Sequence, residues 1–136
     1  MSYKYLNHTA DLGIEVKGET LEELFINTAK AIFETQIRGT ILIKKKLNFE
    51  IKSSSLEELL IEWCRELIYN FSVNGFIPKT YDVKITKGYN LKADLCGDVF
   101  DKNRHKIKLE IKNATYHNLN IKNLKKGYRA TIIFDV

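Results

Sequence analysis

The stretch from Ser54 to Phe71 constrains the fold more than any other part of the chain. Its apolar residues Leu56, Leu59, Leu60, Trp63, Cys64, Leu67, Ile68 and Phe71 recur at helical spacing, and Ile61 widens the stripe beyond one face. Ser54 followed three residues later by Glu57 has the spacing of a capping box, and Asn74, Gly75 and Pro78 supply the stop. A helix apolar over so wide an arc has to be covered on more than one side.

A second helical pattern precedes it. Thr20 and Glu23 have capping-box spacing, and Leu21, Leu24, Phe25, Thr28, Ala29, Ile32 and Phe33 follow the 3.6-residue period, with Gly39 as the expected terminator. The rest of the chain reads as strands. Leu12, Ile14 and Val16 alternate with Asp11, Gly13, Glu15 and Lys17, and the stretch from Ile41 to Ile51 alternates through Leu47, Phe49 and Ile51. Lys87-Gly88-Tyr89-Asn90 predicts a hairpin, with Tyr81, Val83 and Ile85 on one arm and Leu91, Ala93 and Leu95 on the other. Ile107, Leu109 and Ile111 alternate again. The last segment, YRATIIFDV, places Tyr128, Ala130, Ile132, Phe134 and Val136 on one face and Arg129, Thr131, Ile133 and Asp135 on the other. Strands and helices in this order, without βαβ alternation, predict an α+β domain rather than a dinucleotide-binding sheet.

A length of 136 residues suits a single domain over 1–136. Such a chain buries roughly two thirds of its unfolded surface and needs neither disulfide nor metal to build a core. Cys64 and Cys96 lie in different elements with no CxxC, which argues against a disulfide framework or zinc ribbon and for a reducing, cytoplasmic setting. The opening string MSYKYLNHTADLG is too polar for a signal peptide, and no run approaches the roughly 18 apolar residues of a membrane helix. A net charge of +5 favours encounter with RNA, acidic proteins or anionic membranes without choosing among them. Its lysines, including Lys44 to Lys46, Lys79, Lys84, Lys87, Lys122, Lys125 and Lys126, are spread as expected of solvated strand faces and turns.

Catalytic signatures are missing. No HExxH or HxxxH pair joins His8, His105 or His117, and there is no G-x-S-x-G, phosphate loop or dinucleotide turn. The aromatic RNA-binding string of the RRM and the GXXG loop of the KH domain are also lacking. Two aspartates carry the remaining interest. Asp11, in HTADLG, reads either as a turn residue bonding its own backbone or as an anchoring or metal-binding carboxylate at the mouth of a strand. Asp135, penultimate in the sequence, reads either as part of an exposed acidic tail or, with the carboxylate of Val136, as oxygen ligands for a hard cation. The two meet only if the first and last strands lie side by side. DKNRH, with Asp98 just before it, and IKNATYH are polar strings. The second reads as an edge or contact strand, with Lys112, Ala114 and Tyr116 on one face and Ile111, Asn113, Thr115 and His117 on the other.

Four strings, in this order, carry a resemblance. They are HTADLG, SLEELLIEWCRELIY, DKNRHKIKLEIKNATYHNL and ATIIFDV. With them the chain resembles the archease family along nearly its whole length. It departs in Ser53, Ser54 and Ser55, where an acidic residue often precedes the LEELL string, and serine caps a helix equally well. The resemblance implies a small α+β protein with two helices packed between β layers. It implies a non-enzymatic activator of a GTP-dependent tRNA-splicing RNA ligase, promoting guanylylation of the ligase and its multiple turnover, with RNA engaged only indirectly. It also implies a metal site of Asp11, Asp135 and Val136, the last acting through its carboxylate or carbonyl. Calcium is the expected ion, with other divalent metals as alternatives. Lys112 and His8 are expected partner contacts. Two alternatives stay open: a chaperone-like modulator of a tRNA methyltransferase, and a basic RNA-binding module.

Overall fold

In the computed structural model, residues 2–6 and 11–136 are described. The wide apolar helix is α2, Leu56–Asn74. It starts one residue later than its capping-box spacing predicts: Ser55 is the cap and accepts from the Glu58 N–H at 3.1 Å, while Ser54 bonds the Glu58 side chain. Three consecutive serines leave the choice of cap to the packing. Gly75 ends the helix in the left-handed region, φ 71°, where a side chain would be strained. The earlier helix, α1, runs over Leu21–Gln36, with Thr20 accepting from the Glu23 N–H at 3.0 Å. It stops three residues short of Gly39, because the chain at Ile37 is already extended.

Strands β1 (Tyr3–Leu6), β2 (Leu12–Gly18), β8 (Asn113–Leu124) and β9 (Gly127–Asp135) form one antiparallel sheet in the order β1-β2-β9-β8. Strands β4 (Lys45–Lys52), β5 (Phe76–Thr86) and β6 (Asn90–Val99) form a second, ordered β4-β6-β5. A two-residue pairing joins β3 (Ile37–Arg38) to β7 (Lys106–Ile107). Helix α1 packs on β2 and β9 of one sheet and on β5 of the other, and α2 packs on β8 and on β4, β5 and β6. The two helices therefore lie between two β layers, as the wide stripe requires. Leu59, Leu60, Ile61, Trp63 and Cys64 of α2 are all fully buried. The Trp63 indole donates to the Phe25 carbonyl at 2.8 Å, tying α2 to α1. Burial pushes the Cys64 thiol far above its ordinary range, so this cysteine is an inert part of the core.

The β5–β6 hairpin forms in the predicted register, with Tyr81 opposite Leu95, Val83 opposite Ala93 and Ile85 opposite Leu91. On β9, Ala130, Ile132 and Phe134 face the helices and are fully buried. Two expected strands are shorter than their alternation suggests. Residues 41–44 are irregular and β4 begins at Lys45; from Ile107 to Ile111, only Ile107 belongs to a strand. In the second case the end of α1 takes over the hydrogen bonds. The Lys108 N–H donates to the Gln36 carbonyl at 2.7 Å, and the Ile111 N–H to Gln36 Oε1 at 2.9 Å. Strand β1, for which the sequence gives no clear alternation, pairs with β2 from Tyr3 opposite Val16 to Leu6 opposite Gly13.

Candidate functional site

Three strands bring the DLG part of HTADLG, the IKNATYH string and the ATIIFDV string to the larger sheet, where the start of β2, the start of β8 and the end of β9 lie together. β2 pairs with β9 as far as Leu12 opposite Phe134, with Asp11 the residue before Leu12 and Asp135 the residue after Phe134. On the other side of β9, Asn113 lies opposite Asp135, and the Lys112 N–H donates to the Asp135 carbonyl at 2.8 Å. Side chains alternate along a strand. Because Phe134 points to the helices, Asp135 occupies a position on the outer face. Asp11 is half-buried and is not without a partner; Asp135 is exposed, as are Val136 and Lys112. His8 lies outside the described residues.

All the groups gathered here that could ligate a cation are oxygens, a donor set suited to a hard ion such as Ca²⁺ or Mg²⁺. Among the described residues no three His, Cys, Asp or Glu side chains converge as a metal cluster. A cation at this corner would rest on the two carboxylates and a Val136 oxygen. Its remaining oxygens would come from solvent or from a partner.

The expected alternation around Lys112 does not hold. Ile111 and Ala114, assigned to opposite faces, are both buried, because β8 begins only at Asn113 and Ile111 belongs to the preceding loop. The strand is an edge strand, as its polar pattern predicts. It also carries a large bulge. Five steps from Thr115 to Asn120 match only two on β9, from Ile133 to Thr131, and Asn118 adopts φ 52° within it. Tyr116 and His117 are exposed there. Arg65, which sequence reasoning does not single out, anchors this strand to α2. Its guanidinium donates to the Ala114 carbonyl at 3.2 and 3.3 Å and lies 5.4 Å from the centre of the Tyr116 ring.

The DKNRH string resolves into a second polar cluster with a different character. Asp98 is fully buried. Arg104 donates to both its oxygens at 2.8 and 2.9 Å, and the Leu42 and Val99 N–H groups donate at 2.9 and 2.8 Å. Arg104 also reaches Asp101 at 2.7 Å. Burial alone would raise the Asp98 carboxyl, but the Leu42 N–H, the Arg104 guanidinium and the Val99 N–H outweigh it and hold the group at about 2. His105 accepts from the Asp101 N–H at Nδ1, so Nε2 carries the proton and donates to the Thr40 carbonyl at 2.8 Å. These bonds pin residues 40–42 to the turn after β6. The cluster has no spare carboxylate and offers a cation nothing.

Another buried polar residue escapes the sequence reading altogether. Gln36, the last residue of α1, is fully buried. Its spacing from Ile32 and Phe33, which lie four and three residues before it, is a signal that could have found it.

The fold and this corner define a class: a two-helix α+β protein enclosed by antiparallel sheets, with no assembled catalytic constellation among the described residues. The chain belongs to the archease family, whose model, described as the Archease protein family, matches residues 3–136. It is 34% identical to protein archease of Pyrococcus abyssi, covering 98% of each chain, and 32% identical to protein archease of Archaeoglobus fulgidus over the full length of both. Its structure is similar to the solution structure of Methanobacterium thermoautotrophicum protein 1598, with a TM-score of 0.82, 27% identity and 99% coverage of both chains. The fold is also that of a Thermotoga maritima crystal structure described as an archease, possible chaperone, with a TM-score of 0.67, 22% identity and coverage of 98% and 96%.

Proposed function

We propose that this chain is a non-enzymatic partner protein that binds a divalent cation, calcium first, at the Asp11, Asp135 and Val136 corner and activates a GTP-dependent RNA ligase acting on tRNA. The observation that supports this reading is the strand register: β2 and β9 pair as far as Leu12 opposite Phe134, the residues next to Asp11 and Asp135, and the Lys112 N–H is bonded to the Asp135 carbonyl on the other side. Residues from three distant parts of the sequence thus share one solvent-accessible corner. A bound cation would supply positive charge for the phosphates of a nucleotide on the partner. The chain's own residues fix the position of that charge, through a strand pair anchored in the core by Phe134 and Ile132. Activation follows if the chain binds the guanylylation-competent ligase more tightly than the resting one, since only differential affinity shifts such an equilibrium. The reading places the chain in the cytoplasm with its ligase and leaves RNA contact to that partner. The wording "possible chaperone" for the Thermotoga relative keeps a chaperone-like role toward a tRNA-modifying enzyme as the second reading.

The test is a ligation assay with purified ligase and substoichiometric amounts of this chain. Wild type should restore turnover. Asp11→Asn and a chain carrying a short polar tag after Val136 should restore much less, because each removes a negative oxygen ligand. The same tag at the N-terminus should have no effect. Full stimulation by both altered chains would remove the corner from the function, and no stimulation by wild type would remove the ligase.

A further inference from the structure

A pocket of about 500 Å³ lies between the second half of α1, the chain at residues 37–41 and the start of β5. Phe33, Ile37, Ile77 and Pro78, all buried, and the half-buried Ile41 and Tyr81 supply most of its lining. Its walls are fixed from within the fold. His105 Nε2 donates to the Thr40 carbonyl at 2.8 Å, and Gly39, at φ 127°, lets the chain pass against the Arg104 carbonyl where a side chain would collide. On β5, two steps from Pro78 to Thr80 match one on β6, from Gly97 to Cys96, so Lys79 is the extra residue of a bulge. Bulges re-aim side chains, and this one falls at a lysine that lines the pocket. The charged residues of the lining are Lys30, Lys79 and Glu34, all exposed. Glu34 accepts from the Tyr3 hydroxyl at 3.3 Å, whereas neither lysine has an ion-pair partner among the described residues. The Tyr81 hydroxyl keeps accessible surface and likewise has no hydrogen-bond partner among the described residues. Burial and the Glu34 charge push its ionisation up, so it remains a donor. A pre-formed, mainly apolar pocket of this size with a few polar groups at hand has the character of a small-molecule site.

We propose that this pocket binds a small organic carboxylate, with its apolar body against Phe33, Ile37 and Ile77 and its charged end at the mouth, on Lys30, Lys79 and the Tyr81 hydroxyl. The apolar body follows from the lining. The sign of the charge follows from two unpaired ammonium groups against one carboxylate that already holds a donor. The charged end stays in water, because Lys30, Gly39, Thr40 and Lys79 are exposed, so neither the ligand nor the lysines pay the desolvation of a buried ion pair. This site shares no residue with the acidic corner, and it stands whether or not the chain activates a ligase.

3-Phenylpropionate and 3-phenylpropylammonium test it, because they share one apolar body and differ in the sign of the charge. Binding is followed in the full chain by the NMR signals of the Ile37, Ile41 and Ile77 methyl groups. The carboxylate should shift all three and bind about fivefold more tightly than the ammonium, the worth of exposed ion pairs and one hydrogen bond. In the double variant Lys30→Gln, Lys79→Gln, at two exposed positions, that preference should vanish. Tyr81→Phe should weaken the carboxylate about threefold, the loss of one modest hydrogen bond. Equal affinity of wild type for the two probes, or a preference that survives in the double variant, would overturn the charge assignment. Unchanged carboxylate affinity in Tyr81→Phe would overturn the role of the hydroxyl, and no shift of the methyl signals by either probe would overturn the pocket as a ligand site.

Discussion

Asp98 and Asp135 both stand at the ends of strands, β6 and β9, yet their surroundings send them to different work. Asp98 receives two backbone N–H groups and a two-pronged Arg104, all in a fully buried setting. Asp135 is exposed, and its bond to Lys112 runs through the backbone rather than the carboxylate. A carboxylate enclosed by donors is committed to holding the structure, since removing it strands the guanidinium that faced it. A carboxylate presented at a sheet corner leaves its charge available to a ligand. Two aspartates at strand ends thus divide into a pin and a candidate ligand.

The largest expected effect separates the two directly. Asp98→Ala should destabilise the fold by about 3–5 kcal/mol, the usual consequence of breaking one side of a buried ion pair. Asp135→Asn should change stability by no more than about 0.5 kcal/mol, as exposed substitutions do. Denaturant unfolding of the two variants measures both numbers, and similar costs would erase the distinction.

The next effect belongs to the open corner. Calcium at about 100 times its dissociation constant should stabilise wild type by roughly 2.7 kcal/mol. That rise in melting temperature should shrink in Asp11→Asn and persist in Asp98→Asn. Equal calcium responses in wild type and Asp11→Asn would take Asp11 out of the metal site.

The smallest effect is a pH dependence confined to the buried corner. The Asp98 carboxyl lies at about 2 in the folded chain against an ordinary value of 3.8. A group whose pKa is depressed by folding contributes stability above its unfolded value, and that contribution is lost as pH falls through the folded value. Wild type should therefore lose stability between about pH 4 and pH 2 more steeply than Asp98→Asn. Parallel acid profiles for the two chains would show that Asp98 is not the group responsible.

Much of the fold was legible because burial imposes a period. The α2 stripe announced a helix covered on several sides, and the alternation of β9 and the β5–β6 hairpin gave the inward faces, since a one-residue slip would expose every apolar side chain. The failures fall where hydrogen bonds rather than apolar period decide. Ile107, Leu109 and Ile111 alternate like a strand, but Gln36 captures the backbone of this segment, and Ile107 and Leu109 remain exposed. The bulge at residues 116–119 and the extended chain after Gln36 leave no periodic trace either.

What the sequence determined by itself is both helices, the longer strands with most of their buried faces and, through four strings, the family. Those properties depend on neighbours a few residues apart. Only the tertiary structure decided which polar residues meet. Leu12 and Phe134, the neighbours of Asp11 and Asp135, are separated by nearly the whole chain, and they lie opposite each other because β2 pairs with β9 over α1. Packing likewise encloses Asp98 with Arg104 and buries Gln36 against the Ile111 N–H, outcomes that charge and spacing along the chain do not distinguish.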